Sequence, residues 1–274
     1  MTIVIAVAAP DGIILTGDSR TTTFPNGDPS TGRYRIYSDT AEKVFEICGR
    51  YGVATFGEAF IGHQTIAGVM AEFTALIKDE PPAGIDAFSD ALGRFFHERY
   101  VAWRTEAGHP VEDGEIGRLG FFVAGYDQEG IGHVHQVLVP DGRRLPTSGT
   151  THQRTVMWQG QVDVVNRLIK GVDWAAIAEY GIDVPTDTRE ALKGIEYELL
   201  LPITLQDAID FSCFLARTTI DMQRFSDGTV SGEGAVPGCG GAVDILAITR
   251  PGAEWVSRPD LDPRRRSGDA EGAI

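Results

Sequence analysis

The chain has 274 residues, of which 42% are hydrophobic and 23% are charged. This composition is typical of a globular protein with a sizeable core, and it excludes disorder over most of the chain. Acidic residues outnumber basic ones by 39 to 24, which gives a formal net charge of -15. Long-range repulsion therefore argues against nucleic acids and anionic membranes as partners.

The three cysteines, Cys48, Cys213 and Cys239, are an odd number and show no CxxC spacing. That pattern argues against a disulfide framework and against a zinc cluster, and it favours reduced thiols. No apolar run approaches the length of about 18 residues that a membrane-spanning helix needs, and the start of the chain lacks the basic segment of a signal peptide. We therefore expect a cytoplasmic protein without metal or cofactor.

Strand patterns open the chain. The β-branched segments TIVIAVAA (2–9) and GIILTGD (12–18) flank a Pro-Asp-Gly turn and predict a hairpin. A second strand pair is predicted at KVFEIC (43–48) and YGVATF (51–56), around the Gly-Arg turn between them.

Helices and further strands alternate through the rest of the chain. Apolar residues recur at helical spacing from Phe60 to Ile77 and from Phe88 to Trp103, and strand patterns follow at 119–127, 131–139 and 155–158. Three more helices are predicted, at Gln161–Lys170, at Asp187–Leu200 and after an N-cap at Thr204 with Asp207 three residues on. The last of these would bury Ile209, Cys213, Ala216 and Ile220, and a final hairpin is predicted at 241–249 and 253–256.

This order of elements predicts an α+β fold in which two antiparallel sheets pack face to face and helices cover their outer faces. No linker-like segment divides the chain, so we expect one domain over residues 2–257 and a polar, disordered tail over residues 258–274. The basic run at 264–266 belongs to that tail and is interpreted as solvated.

Thr2, at the start of the chain, is a candidate nucleophile. Methionine is normally removed before a residue as small as threonine, and removal of Met1 would leave Thr2 with a hydroxyl and a free α-amine. An α-amine titrates near neutrality, so it can take the hydroxyl proton through one water and activate the oxygen as a nucleophile.

Three segments carry a family resemblance: TIVIAVAAPDGIILTGDSRTTT, AEKVFEI and YGVATFGEAF. Together they resemble the proteasome β-subunit superfamily of N-terminal nucleophile hydrolases, which includes the bacterial HslV peptidase and the Anbu proteasome-like proteins. The resemblance covers roughly the first quarter of the chain. It implies a four-layer αββα sandwich and a threonine-type peptidase.

The resemblance also implies roles for individual residues. Thr2 would be the nucleophile, Lys43 would favour its alkoxide, and Asp18 would hold Lys43 charged and oriented. The backbone N–H of Gly57 would bind the oxyanion, and Arg20 would brace the turn that carries Asp18. A substrate pocket would be lined by Arg20 together with Thr55 and Ala59, which suggests small or neutral substrate side chains.

The second half of the implied site departs from the family pattern. In the family, a helper serine lies in a Gly-Ser-Gly turn. The corresponding segment here is MWQGQ, where Gln159 beside Gly160 takes the place of the serine. In the family, an Asp and a Ser further along the sequence complete the site. Their nearest counterparts here are Thr218, Thr219 and Asp221, in ARTTIDMQRF.

The implied partners are a peptide or unfolded-protein substrate and other copies of the chain, in a ring or open spiral, with an ATPase partner left open. Two alternatives share the fold. One is a catalytically silent, self-assembling scaffold, which typically carries an N-terminal extension where only Met1 precedes Thr2 here. The other is an amidase acting on a small molecule.

Three further motifs point elsewhere. GDSR resembles the start of the GDSL esterases and would make Ser19 the nucleophile, but those enzymes need a histidine near the C-terminus, and the last one here is His152. His133 and His135 share a strand face, although no third ligand stands at a suitable spacing. GCGG at 238–241 precedes a predicted strand, which favours a turn over a phosphate loop.

Overall fold

The computed structural model describes residues 2–23, 35–108, 119–145, 149–153, 155–199, 203–226 and 236–258. Antiparallel strands and helices alternate along these residues in an α+β arrangement. The strands are β1 (Ile3–Ala9), β2 (Gly12–Asp18), β3 (Thr21–Thr23), β4 (Arg35–Ser38), β5 (Val44–Ile47), β6 (Tyr51–Gly57), β7 (Phe60–Ile61), β8 (Gln64–Thr65), β9 (Leu119–Tyr126), β10 (Gly132–Val139), β11 (Arg143–Leu145), β12 (Val156–Gly160), β13 (Val243–Ile248) and β14 (Ala253–Ser257). The helices are α1 (Ile66–Ile77), α2 (Gly84–Glu106), α3 (Asp163–Lys170), α4 (Trp174–Glu179), α5 (Thr186–Leu192) and α6 (Leu205–Arg224), with a 3-10 turn at Lys193–Ile195.

Two five-stranded antiparallel sheets form the centre of the fold. One has the strand order β12-β1-β2-β13-β14 and the other β11-β10-β9-β6-β5. The first sheet carries the N-terminal strand in its interior, with Ile3 opposite Gly160 of β12 and Val4 opposite Gly17 of β2. The start of the chain is thereby fixed between two neighbouring strands.

Three clusters of buried apolar residues divide the interior. One contains residues of both sheets, among them Val4 and Leu15 from the first and Phe56 and Phe122 from the second. A second cluster joins α1 and α2 to the second sheet, and a third joins α3 and α6 to the first sheet. The alternate residues of β1 divide between two of these clusters, because successive side chains of a strand point to opposite faces.

Local sequence explains where the main helices begin. The Thr65 side chain accepts a hydrogen bond from the Gly68 N–H and caps α1. Thr204 and Asp207 form the reciprocal capping box of α6 that their spacing predicts. The predicted hairpins at both ends of the chain are also confirmed, as β1–β2 and β13–β14.

Three sequence predictions were wrong in detail. The helical pattern from Phe60 contains two short strands first, β7 and β8, because the capped helix begins only after Thr65. The helix predicted over Asp187–Leu200 ends at Leu192 and continues as the 3-10 turn. The short elements β3, β4, β11 and α4 were not predicted at all.

The buried face of α6 is rotated relative to the prediction. The helix buries Ser212, Leu215, Ala216, Thr219 and Gln223, whereas the predicted Ile209, Cys213 and Ile220 are only partly buried. Hydrophobic spacing therefore missed the polar residues that this helix turns toward the sheet.

Of the predicted tail, only Arg258 lies within the described residues, where it forms an ion pair with Glu42 at 2.6 Å. The remainder, with its basic run at 264–266, lies outside them. Among the described residues, no helix has both the length and the apolar character to cross a membrane.

Candidate functional site

Asp18 connects several segments near the start of the chain. It ends β2 with no exposed surface. One carboxylate oxygen accepts from the Ile3 N–H at 3.0 Å and from the Lys43 ammonium at 2.7 Å, and the other accepts from the N–H groups of Arg20 at 3.2 Å and Gly240 at 3.0 Å. Four donors thus compensate the cost of burying this carboxylate.

Lys43 lies at the start of β5 and is only 5% exposed. Besides Asp18, its ammonium donates a short hydrogen bond to the carbonyl oxygen of Arg20. A solvated lysine would sample many rotamers, but these two acceptors fix the ammonium in one place. The chain therefore holds a fixed positive charge inside the fold.

Arg20 is bound in the turn that follows Asp18. Its guanidinium forms a two-point ion pair with Asp39, at 2.6 and 3.0 Å, and also donates to the carbonyl oxygens of Pro237 and Cys239. Paired N–H donors of this kind fix both distance and orientation. Arg20 thereby ties the turn after β2 to the loop before β13.

Thr2 is 6% exposed and directly precedes β1. The peptide group between Thr2 and Ile3 is bound at both ends: its carbonyl oxygen accepts from the Gln161 N–H at 2.6 Å, and its N–H donates to Asp18. Gly160 approaches so closely that only a residue without a side chain fits there. The position of Thr2 is thus set by three separate segments of the chain.

Thr2, Lys43 and Gly57 share one pocket of about 320 Å³. Gly57 ends β6 with a φ of 92°, a left-handed conformation that favours glycine. The other residues of the lining are mainly small, hydroxylated or apolar: Thr21, Tyr37, Ser38, Thr40, Ala41, Glu42, Thr55, Phe56, Glu58, Ala59, Phe60, Thr65, Ile66 and Ala67. This pocket can admit a ligand group of moderate size beside a hydroxyl and an ammonium.

The predicted pocket lining is correct for Thr55 and Ala59 and wrong for Arg20. The guanidinium of Arg20 is bound to Asp39 and to the 237–239 segment and does not line the pocket. A charged residue after a strand is most often exposed, so its sequence position gave no sign of this binding.

The structure does not bring the predicted supporting residues on the later elements to the site. Gln159 pairs with Val4 across β1 and β12, away from the Thr2 carbonyl. Asp221 is exposed and Thr218 is half-buried, whereas Thr219 is buried and donates to the Leu215 carbonyl oxygen within α6. None of these residues lines the pocket.

Two glutamines that the sequence analysis missed lie there instead. Gln161 donates its backbone N–H to Thr2, and its side-chain oxygen accepts from the Gln223 amide at 3.3 Å. Gln223, which is 1% exposed, accepts from the Cys239 N–H at 2.7 Å. No sequence pattern marked either residue, because amides are rarely placed on the buried side of a helix.

The candidate residues of the other sequence motifs form hydrogen bonds within the fold. Ser19 is buried, and its hydroxyl donates to the Ala242 carbonyl oxygen at 2.9 Å. His133 binds Asp127 at 2.6 Å and His135 binds Ser89 at 2.9 Å, so each has its own protein partner. Within the described ranges, no group of three or more His, Cys, Asp or Glu residues is arranged to hold a metal ion.

Asp244 is a buried carboxyl behind the Asp18–Lys43 pair. It lies on β13 opposite Gly17, and its Oδ1 atom is buried without a hydrogen-bond donor. Burial, and to a lesser extent the negative charge of nearby Glu42, raise the pKa of this carboxyl from 3.8 to about 7 against the opposing charge of Arg258. Near neutral pH the folded protein therefore holds a proton that the unfolded chain releases.

This proton makes stability depend on pH in a defined direction. Because folding raises the pKa of Asp244, the contribution of this carboxyl to stability is greatest below pH 3.8 and is lost as the pH rises through 7. Asp244→Asn should therefore raise the free energy of unfolding by about 2 kcal/mol at pH 8 and by much less at pH 5. Urea titrations at both pH values measure this difference, with the exposed Asp183→Asn as the matched control. An equal gain at both pH values would contradict it.

Neither a scan against protein-family models nor a search of the curated proteins found a match to this chain.

Proposed function

We propose that this protein is a threonine-type peptidase whose nucleophile is the Thr2 hydroxyl after Met1 has been removed. One observation carries the proposal: Thr2, Lys43 and Gly57 line the same pocket, and the ammonium of Lys43 is fixed there by the fully buried Asp18. A fixed cation beside a hydroxyl favours its alkoxide form, which is what an N-terminal nucleophile requires.

The proposal extends to the fold. We infer that the two sheets and the helices on their outer faces make the four-layer αββα sandwich of the N-terminal nucleophile hydrolases. The supporting observation is that one apolar cluster joins the two sheets, while two others join each sheet to its own helices. In such an arrangement the first strand lies in a sheet interior, as β1 does.

The proposed reaction has two steps. In the first, the α-amine of Thr2 takes the hydroxyl proton through a water, and the oxygen attacks the carbonyl carbon of the scissile amide. The ammonium of Lys43 favours the attacking alkoxide, and the N–H of Gly57 stabilises the oxyanion that forms on the substrate carbonyl. The C–N bond of the substrate then breaks, the product amine leaves with the proton, and an ester remains on Thr2. In the second step the α-amine activates a water that attacks this ester, which releases the carboxylic acid and restores the hydroxyl.

The lining of the pocket supports a neutral substrate side chain. Ala59, Ile66 and Ala67 offer an apolar surface, and the carboxylate of Glu42 in the lining is paired with Arg258. A volume of about 320 Å³ accommodates a side chain of small to moderate size together with part of the substrate backbone.

We expect Met1 to be absent from the protein as it is made in its native host, because an acylated amine cannot serve as the base. A Thr-directed epoxyketone, which reacts with both the hydroxyl and the free amine, should then add once to Thr2, and the protein should hydrolyse fluorogenic peptides. Intact-mass spectrometry measures the first two outcomes. Thr2→Ala is the control and should lose labelling and turnover together.

Two results would contradict this proposal. Quantitative retention of Met1 with no labelling would exclude the N-terminal nucleophile. Labelling of Thr2 combined with hydrolysis of small amides, but of no peptide in a broad panel, would instead favour the small-molecule amidase.

We also propose that the protein is a homo-oligomer, as its resemblance to ring-forming peptidases implies. Large apolar residues of α1 and α2 such as Phe73 and Phe96 offer no surface for association because they are buried in the chain's own core. Better support comes from large apolar side chains that stay exposed on α6 and just after it: Phe214, Met222 and Phe225. Light scattering at micromolar concentration should give a mass well above that of a dimer, and a monomer would contradict the expectation.

A further inference from the structure

Gln223 occupies an unusual place for an amide side chain. It lies on the buried face of α6, is 1% exposed and touches two different loops through its two polar atoms. Its oxygen accepts from the Cys239 N–H at 2.7 Å, which leaves its nitrogen to donate to the Gln161 side-chain oxygen at 3.3 Å. The backbone N–H of Cys239 therefore fixes the orientation of the whole amide.

These two contacts close a ring of hydrogen bonds around the start of the chain. From Gln223 the ring passes through Gln161 to the Thr2 carbonyl oxygen, and on the other side through the Cys239–Gly240 segment to Asp18. Asp18 then accepts from the Ile3 N–H, which completes the ring at the peptide group that joins Thr2 to Ile3.

Both halves of the ring converge on one rigid unit. The Thr2–Ile3 peptide group is planar, so holding its carbonyl oxygen and its N–H fixes its orientation entirely. That orientation fixes the position of the Thr2 Cα atom, from which the hydroxyl-bearing side chain extends into the pocket that Lys43 also lines. An error of about 1 Å in such an alignment can lower a reaction rate by about a hundredfold.

We propose that Gln223 is a positioning residue for Thr2, acting through Gln161 on one side and through the 239–240 segment on the other. This inference depends on the proposed nucleophilic role of Thr2. The two glutamines form a single link, in which the Gln223 amide donates to the Gln161 side-chain oxygen at 3.3 Å. Buried hydrogen-bond networks of this kind act as units and not as sums of independent bonds.

The test uses side chains of matched size. Gln223→Met removes the donor and the acceptor without leaving a cavity, and Gln161→Met removes only the acceptor that Gln223 binds. Gln161→Glu keeps an acceptor in the same place and serves as the conservative rescue. Gln206→Met is the control, because Gln206 lies on the same helix but is exposed, with its amide bound to Asp210.

We expect Gln223→Met to lower kcat by about 10- to 100-fold while KM changes less than twofold, since misalignment affects the reacting hydroxyl more than substrate binding. Gln161→Met should lower kcat in the same direction, Gln161→Glu should recover part of that loss because it restores the acceptor, and Gln206→Met should stay near the wild type. The double variant Gln161→Met/Gln223→Met should be no worse than Gln223→Met alone, because both changes break the same link.

Amide hydrogen exchange provides a readout that does not depend on turnover. The backbone amides of Ile3, Gln161 and Gly240 should exchange faster in Gln223→Met, and those of the distant helix α2 should not change. Unchanged exchange and unchanged kcat would overturn the proposal, as would fully additive losses in the double variant or a loss confined to KM. If the wild type neither hydrolyses peptides nor reacts at Thr2, the proposed function fails, and the exchange data still decide whether Gln223 positions the start of the chain.

Discussion

Lys43→Ala is expected to lower turnover by roughly two to three orders of magnitude. The change removes the positive charge that favours the Thr2 alkoxide, and a shift of two to three units in the pKa of the attacking hydroxyl corresponds to about 3 to 4 kcal/mol of barrier. Lys43→Arg should fail almost as badly, because a planar guanidinium cannot place a compact charge between Asp18 and the Arg20 carbonyl oxygen. Steady-state kinetics on a fluorogenic peptide measure both.

The same substitution also carries a cost in stability. Asp18 has no exposed surface, and removal of Lys43 leaves its carboxylate with backbone N–H donors alone, from Ile3, Arg20 and Gly240. Breaking one side of a buried ion pair typically costs about 3 to 5 kcal/mol. The sequence alone shows only a lysine before a strand, and it does not indicate this loss of stability.

A double variant separates the two effects. Lys43→Ala/Asp18→Asn removes the uncompensated charge, so it should regain much of the stability that Lys43→Ala loses while remaining inactive. Asp18→Asn alone should reduce turnover less than Lys43→Ala, because the ammonium keeps the Arg20 carbonyl oxygen as an acceptor. Recovery of activity in the stabilised double variant would show that Lys43 serves the fold and not the reaction.

The first half of the candidate site could be predicted because a family resemblance singled out its residues and strong local signals indicated the strands that carry them. Thr2, Asp18 and Lys43 stand at strand ends, and the strand positions follow from β-branched runs bounded by Pro, Asp and Gly turns. Once β1 and β2 pair in the observed register, with Val4 opposite Gly17, Asp18 comes beside Ile3 without any further information.

The second half was not predictable for the opposite reason. Gln161 and Gln223 are separated by 62 positions and meet only because α6 packs on the first sheet with a polar residue turned inward. The family resemblance assigned Asp221, which is exposed, to the site, and hydrophobic periodicity gave no reason to place the amide of Gln223 on the buried side of the helix. Likewise, Gln161 and not Gln159 donates to Thr2, because Gln159 pairs with Val4 and Gln161 follows the end of β12. The sequence pattern QGQ does not show which of the two glutamines contacts Thr2.

Gly160→Ala is expected to disable the site without touching any polar side chain. Gly160 has a φ of 97°, which a residue with a side chain adopts only under strain, and an added Cβ atom would lie 2.8 Å from the carbonyl carbon of Thr2 and overlap its oxygen. The chain can relieve that overlap only by moving β12 away from β1, which breaks the hydrogen bond between the Gln161 N–H and Thr2.

We expect this change to lower the free energy of unfolding by about 3 kcal/mol, as the sum of backbone strain and overpacking, and to lower kcat at least as far as Gln223→Met does. The matched control is Gly194→Ala, since Gly194 has open space around it and lies in the exposed 3-10 turn far from Thr2. Denaturant titration and peptide hydrolysis measure the two effects separately. Gly160 contributes no functional group, so a large loss of kcat in protein that remains folded would have to come from displacement of Thr2. Full activity of Gly160→Ala would instead mean that the reacting group lies elsewhere.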